Sequence, residues 1–475
     1  MGEIKILGVE QRALWLQARM PFRYGIATMT RVPHLFLEIR MQIDGAVARG
    51  VAADMLPPKW FTKDPHQAAQ DEIAEMLRVI SHAAQWASGR VAEDVFSLWH
   101  SQYLAQDHWS REQQIPPLLA QFGTSLIERA SIDAFCRGSG TTFHRALQAN
   151  LFGVRLASIH PELTGTPKDY LPAAPLNSII VRHTVGLSDP LCDEEIAAAD
   201  KLEDGLPQSL EASIRAYRLR HFKIKVNGDL DRDLDRLERI ARILERVAGS
   251  GFRVSIDGNE QFGTVEAFAT FWHEVSRRPG LASLVENLLF VEQPLHRDVA
   301  LSDVAGRQLR NWTARPPTII DESDATLHSL PRALESGYAG TSHKNCKGIF
   351  KSVANRCLLA FRARSLSEKE WIMSGEDLSN VGPVALPQDL AVAAALHIAS
   401  VERNGHHYFR GLSPFSKAIQ SAAFAAHPDL YVQTPAGWPT LAIEDGEISV
   451  GTINRAPFGV AFEMPFEDLP SLSAL

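Results

Sequence analysis

Charged residues recur through the second half of the chain at the spacing of a strand plus a helix. Lys223-Ile224-Lys225 is followed by Asp257, Glu292, Asp321 and Lys344, at steps of 32, 35, 29 and 23 residues counted from Lys225. Each stands at the end of a short apolar run. Three carboxylates gathered without a partner would repel one another and raise their own pKa values. A divalent cation relieves that repulsion. An all-oxygen set without His or Cys suits a hard ion, Mg²⁺ first and Mn²⁺ second. Lysines then flank the metal on two sides. A free lysine, with a pKa of about 10.4, is a poor base near neutrality. Positive neighbours, here Lys223 and the metal, lower it toward the working range. The chemistry this suits is that of a carbon acid: the metal holds a carboxylate and stabilises an enolate while one lysine removes the α-proton.

Such residues need a frame that brings strand ends to one place. The pattern predicts strands at Ser178–Val185, His221–Val226, Phe252–Asp257, Leu289–Gln293, Pro317–Asp321, Gly340–Lys344 and Trp371–Ser374. An eighth is expected between Val401 and Leu412, after a helix from Leu386 to Ser400. Amphipathic helices separate the strands, as with Leu234, Leu237, Ala241 and Leu244 on one face. Strands alternating with helices imply a parallel sheet. The unit length fits an α/β fold of the TIM-type (β/α)7β barrel, in which strand C-terminal ends converge on one mouth. Side chains alternate along a strand, so Lys223 and Lys225 share a face, as do Asp257 and Asn259.

Ahead of the barrel lies an α+β domain. Leu35, Leu37, Ile39, Met41 and Ile43 alternate, Asp44-Gly45 signals a hairpin, and Ala46–Ala53 returns. Helices follow, one carrying Ala74, Leu77, Ile80 and Ala84 at helical spacing, another from Thr124 to Phe135. Pro161, Pro167, Pro172 and Pro175 mark a boundary. The expected division is 1–175 for this domain, 176–425 for the barrel, and 426–475 for a tail with a hairpin signal at Asp445-Gly446 that packs back on the first domain.

The composition of the 475 residues is globular, with 22% charged and 45% hydrophobic residues. A net charge of −8 without a basic block speaks against nucleic acid as a partner. No apolar run reaches the roughly 18–20 residues of a membrane span. Met1 to Gln11 has no secretory h-region. Cys136, Cys192, Cys346 and Cys357 form no CxxC pair and read as reduced thiols of a cytoplasmic protein.

Together these residues resemble the enolase superfamily, in its muconate-lactonizing-enzyme-like branch (the mandelate racemase/muconate lactonizing enzyme family). Pro21-Phe22-Arg23-Tyr24-Gly25 and the hairpin after it look like the family's N-terminal capping domain, and Glu128-Arg129-Ala130-Ser131-Ile132-Asp133 like its late helix. Lys223-Ile224-Lys225 matches the K-x-K motif, which implies Lys225 as catalytic base. Asp257, Glu292 and Asp321 match the three metal ligands, and Lys344 the opposing lysine. The resemblance implies a small carboxylate substrate; a homo-oligomer is also expected.

There are departures. Glu376 stands at strand seven with no histidine, unlike the mandelate-racemase branch, and no D-x-D follows strand eight, unlike dipeptide epimerases. The expected reaction is racemisation or epimerisation, because both lysines are present. The alternatives are elimination (a dehydratase-type lyase), cycloisomerisation of a carboxylic acid or lactone, and a non-catalytic binding barrel. Asn259 is a candidate metal or substrate contact, and Glu322 a partner for Lys344 or an outer-face carboxylate. Glu376, Arg31, Lys59 and Trp60 are further candidates near the substrate. The cap segments Tyr24–Arg31 and Met55–Trp60 are expected to close over the mouth.

Overall fold

The computed structural model describes residues 3–365 and 370–475. Met1 and Gly2, at the start of the N-terminal stretch read above, lie outside the described residues.

The chain opens on a long antiparallel meander, β1 (Ile4–Tyr24), β2 (Ala27–Ile43) and β3 (Ala46–Met55), with a short β4 (Val91–Ala92) on the far edge of β1. The β2–β3 turn is the expected Asp44-Gly45, with φ of 46° and 87°, the double positive φ that a two-residue hairpin needs. Three helices cover one face of the sheet: α1 (Ala69–Ala87), α2 (Val95–Glu112) and α3 (Pro117–Gly138). α3 is buried almost all round because it lies between the sheet, the other helices and the barrel. Its contact with β3 is close: a Cβ on Gly50 would sit 2.1 Å from the carbonyl of Ala130.

The helix expected on Ala74, Leu77, Ile80 and Ala84 forms as α1, but rotated. Of the expected residues Ile80 and Ala84 are buried, with Ile73, Met76, Val79, Ala83 and Ala87 beside them, while Ala74 is exposed and Leu77 only partly covered. The crossing with α3 sets this face. Gly123 of α3 lies directly on α1, where a Cβ would come within 2.3 Å of Val79 O.

The barrel follows. Its strands are β5 (Ser178–Val185), β6 (His221–Lys225), β7 (Arg253–Asp257), β8 (Leu288–Glu292), β9 (Thr318–Ile320), β10 (Gly340–His343), β11 (Ile372–Gly375) and β12 (Ser400–Arg403). Neighbours pair in parallel and β12 closes on β5, which makes a TIM-type (β/α)7β barrel with an N-terminal capping domain. Helix starts carry side-chain caps: Ser209, Asp229, Thr264 and Ser302 each accept from a backbone N–H three residues on. The helix expected at Leu386–Ser400 spans Ala385–Ala395, and the eighth strand begins at Ser400.

The tail contributes a small hairpin, β13 (Tyr431–Gln433) and β14 (Pro439–Leu441), then β15 (Glu447–Ser449), antiparallel to the start of β5. Farther on, Ala13 N donates to Pro470 O and Arg12 bridges Ser471, so the tail touches both barrel and capping sheet. Among the described residues, no helix is long and apolar enough to cross a membrane.

One buried residue of the capping sheet yields a pH prediction. His34 is fully buried against Phe36, and neither ring nitrogen has a hydrogen-bond partner among the described residues. Burial, helped by the Arg129 charge, lowers its pKa from 6.5 to about 3. The folded protein therefore binds fewer protons here than the unfolded chain. The stability this group contributes is present above pH 6.5 and is lost as pH falls toward about 3. His34→Leu should raise the melting temperature, and by more at pH 5 than at pH 7.5. An unpaired buried polar group costs about 1–3 kcal/mol. An identical gain at both pH values in calorimetry would show that His34 does not titrate as stated.

Candidate active site

Alternation along β6 sends Phe222 and Ile224 outward and Lys223 and Lys225 into the barrel. The Lys225 ammonium donates to Asp257 Oδ2 (2.7 Å) and Asn259 Oδ1 (2.8 Å). The Lys223 ammonium lies deeper. It is within 3.0 Å of Asp257 Oδ2, 2.8 Å of Glu292 Oε2, 3.0 Å of Glu376 Oε2 and 3.1 Å of Glu402 Oε2. Burial alone would lower its pKa, but the four carboxylates overcome this and hold it well above the usual lysine value.

Across the barrel, Lys344 donates to Asp321 Oδ2 (2.6 Å) and lies 3.1 Å from Glu376 Oε2, with its ammonium 4.6 Å from the centre of the Trp60 ring. Burial again works against its charge, and Asp321 and Glu376 again prevail, raising the pKa. Lys347 donates to the other oxygen of Asp321 at 2.9 Å. Against burial, Lys344 and Lys347 hold the Asp321 carboxyl well below its usual range.

Oxygens of Glu292, Asp321 and Glu376 lie within 4.8 Å of one another. Glu292 is the strained member. Burial first, then the Glu376 charge, raises its pKa well above normal; its Oε2 faces Lys223 (2.8 Å), and its Oε1 has no hydrogen-bond partner among the described residues. A buried all-oxygen group with such an orphan could hold a hard divalent cation. The sequence expectation differs from this grouping in one member: Asp257 turns its Oδ2 to two lysines, and Glu376 takes the place beside Glu292 and Asp321. Asp257 remains adjacent, since Lys223 touches both it and Glu292.

Other expected residues divide. Asn259, at φ 41°, contacts Lys225. Glu322 is buried and does not pair with Lys344. Its Oε1 faces the Asn259 amide at 3.4 Å, and burial, Asp321 and Glu260 raise its pKa to about 7. Lys344 has nearer acids in Asp321 and Glu376, which leaves Glu322 the opposite side of the strand end. Trp60 reaches the site, but Arg31 and Lys59 do not. Arg31 is exposed and stacks on Trp15 (4.3 Å), and Lys59 is held by Glu72 (3.0 Å) and loop carbonyls. Each found a nearer partner within the capping domain.

Lys225 and Lys344 line one narrow cavity of about 40 Å³ together with Phe22, Tyr24, Met29 and Trp60 of the cap. The cap is pinned there. Lys63 and Arg297 both pair with Glu260 (2.6 Å each), and Arg297 also donates to the carbonyls of Trp60 and Phe61. On the far side, Glu128 of α3 accepts from Ile349 and Phe350 N, at the start of the helix that follows Lys344. Sequence reasoning missed Lys347, Glu402, Arg182, whose Nη2 donates to Ser374 Oγ (2.6 Å) and lies 3.5 Å from Glu376 Oε1, and Asn404, which lines the cavity. Lys347 sits three residues from Lys344 on a single 3₁₀ turn, a spacing that could have drawn notice. Glu402 required strand eight to be placed to the residue.

The sequence matches no protein-family model and no curated protein. Solved structures match along nearly the whole chain. A mandelate racemase/muconate lactonizing protein from Herpetosiphon aurantiacus is 16% identical with a TM-score of 0.61, covering 97% of this chain and 99% of that one. A dipeptide epimerase from Methylococcus capsulatus, solved with Mg and the dipeptide L-Arg-D-Lys, is 16% identical with a TM-score of 0.57, covering 96% and 100%. An N-succinyl Arg/Lys racemase from Bacillus cereus ATCC 14579 is 16% identical with a TM-score of 0.58, covering 95% and 98%. The chain thus has the capped-barrel fold of these proteins, the fold that the motif resemblance implied.

Proposed function

We propose that this protein is a member of the enolase superfamily, in its muconate-lactonizing-enzyme-like branch, and removes a proton α to a substrate carboxylate as a racemase or epimerase. The observation that carries this reading is the pair Lys225 and Lys344 lining one cavity beside a buried carboxylate cluster. The racemase and epimerase that share the fold support it.

Glu292 and Asp321, with Asp257 or Glu376 beside them, would hold Mg²⁺, with Mn²⁺ as the second choice. The bound ion supplies Lewis-acid stabilisation of an enolate. Lys225, oriented by Asp257 and Asn259, removes the proton from one face. Lys344, oriented by Asp321, Glu376 and the Trp60 ring, returns one to the other. A one-base elimination or cycloisomerisation is the second reading. It is favoured by the two carboxylates that clamp Lys344 and could keep it a fixed cation. A cytoplasmic homo-oligomer belongs to the proposal, on the four unbridged cysteines and the family likeness. Light scattering at the 52.5 kDa monomer mass would remove the oligomer.

The test is exchange of the substrate α-hydrogen with D₂O, followed by NMR over a panel of hydroxy acids, N-acyl amino acids and lactones. Exchange should need Mg²⁺, stop with EDTA and return on adding Mg²⁺ back. A binding barrel would exchange nothing, and exchange indifferent to EDTA would remove the metal from the proposal.

A further inference from the structure

One buried guanidinium lies behind the carboxylate cluster. Arg182 of β5 is 1% exposed and points into the barrel, on the same side as Thr184, which reaches Glu402 there. Its planar fork spans several strands. Nη1 donates to Ser400 O on β12 (3.0 Å), and Nη2 donates to Ser374 Oγ (2.6 Å) and Gly375 O (3.2 Å) at the end of β11. The guanidinium carbon sits 5.2 Å from the centre of the Phe290 ring on β8.

Two carboxylates lie within its range. Glu402 is its register partner across β5 and β12, but both oxygens of Glu402 are taken, Oε1 by Thr184 (2.5 Å) and Oε2 by Lys223 (3.1 Å). The guanidinium turns instead to Glu376. Nη2 lies 3.5 Å from Oε1, and Ser374 Oγ, which accepts from Nη2, faces the same oxygen at 3.4 Å. The contact is thus partly relayed by the hydroxyl. The other oxygen, Oε2, faces Lys223 (3.0 Å) and Lys344 (3.1 Å). Glu376 is therefore held at both ends, one oxygen from β5 and β11 and the other by the lysines.

The balance of charge points the same way. Asp257, Glu292, Asp321, Glu376 and Glu402 are five buried carboxylates, and the lysines that meet them are four: Lys223, Lys225, Lys344 and Lys347. Arg182 supplies the fifth cation. A carboxylate buried without a counter-charge is costly. A lysine at this place would carry the charge but not the fork, because a single ammonium is a point charge and does not reach Ser400 O and the end of β11 together.

We infer that Arg182 is a positioning residue: together with Ser374 it fixes the Oε1 end of Glu376 and so keeps this carboxylate beside Glu292 and Asp321, where a divalent cation would be held. The inference rests on the metal-assisted reading above. Arg182 does not line the cavity between the lysines, so it acts through Glu376.

The experiment uses the full chain and two measurements. Urea melts in EDTA compare the effect of Arg182→Met in the wild type and in Glu376→Gln. If the two side chains act as a pair, Arg182→Met should lower the midpoint by less in Glu376→Gln than in the wild type. Titration calorimetry with Mg²⁺ then gives the dissociation constant. Groups that orient a metal ligand commonly contribute about 10–100-fold to affinity. Arg182→Met should weaken Mg²⁺ binding by that factor and Arg182→Lys by less, while in Glu376→Gln neither should weaken it further. Ser374→Ala is the milder change at the same contact. It should also weaken Mg²⁺ binding, and it replaces Arg182→Met in both measurements if that variant does not fold. Mg²⁺ affinities equal to the wild type in these variants would overturn the positioning role, as would equal midpoint shifts in the two backgrounds. No Mg²⁺ binding by the wild type would instead overturn the metal reading, and the melts would then uphold or overturn the pairing of Arg182 with Glu376 by themselves.

Discussion

Lys225→Ala should abolish α-hydrogen exchange with one enantiomer of the substrate and leave slow exchange with the other, and Lys344→Ala should do the reverse. Both ammonium groups line the same cavity, each held by its own acids: Asp257 with Asn259 for Lys225, and Asp321 with Glu376 for Lys344. A planar enolate between them presents one face to each. In a two-base racemase each lysine serves the enantiomer whose proton points at it. Loss of a general base costs about 10²–10⁴ in rate, well within what NMR exchange resolves. A one-base lyase gives another pattern. There Lys225→Ala stops all exchange, and Lys344→Ala weakens enolate stabilisation without regard to stereochemistry. Equal losses with both enantiomers in both variants would end the racemase assignment. Full activity in either variant would end the site assignment.

Two carboxylates of the same cluster should respond to neutralisation with opposite signs in stability. Glu292→Gln keeps the shape and removes the charge that burial and Glu376 oppose. Lys223 keeps Asp257, Glu376 and Glu402 as partners. Without metal this variant should be as stable as the wild type or up to about 3 kcal/mol more so, since an ill-matched buried charge is a cost. Asp321→Asn instead leaves Lys344 and Lys347 short of the carboxylate that both use. Breaking a buried pair from one side costs about 3–5 kcal/mol. Urea melts in EDTA measure both. The same melts in Mg²⁺ then test the ligand role. A ligand at 100 times its Kd adds about 2.7 kcal/mol, and Glu292→Gln should lose that increment. An unchanged Mg²⁺ increment in Glu292→Gln would mean that Glu292 does not hold the ion, and a stable Asp321→Asn would contradict the ion pairs described.

Much of this was legible from one dimension. Alternation on β6 alone puts Lys223 and Lys225 on the same side, because successive side chains of a strand point to opposite faces. Repeated strand–helix units imply a closed parallel sheet, and the strand-end position of Asp257, Glu292, Asp321 and Lys344 follows from the same reading. The Asp44-Gly45 hairpin needs only the local tolerance for positive φ. These are short-range properties, set by backbone sterics and the side-chain period.

What only the tertiary structure decided depends on which of several partners lies nearest. Closure of the barrel carries Glu376 into the group with Glu292 and Asp321 and turns Asp257 to the lysines, a choice of a few ångströms that alternation cannot express. Arg31 and Lys59 are long, flexible cations near the mouth in sequence, but Trp15 and Glu72 capture them inside the cap. The buried face of α1 is its apolar stripe from Ile73 to Ala87, and only the close crossing with α3 at Gly123 shows that Ala74 and Leu77 lie at its edge. The apolar wall of the cavity exists only because the cap docks on the barrel, bringing Phe22 and Trp60 to the side of Leu378 and Asn404, which no local pattern links. The strand ends were written into the chain as a period. The pairings among their charges depended on distance in three dimensions, where burial strengthens electrostatics and the nearest partner prevails.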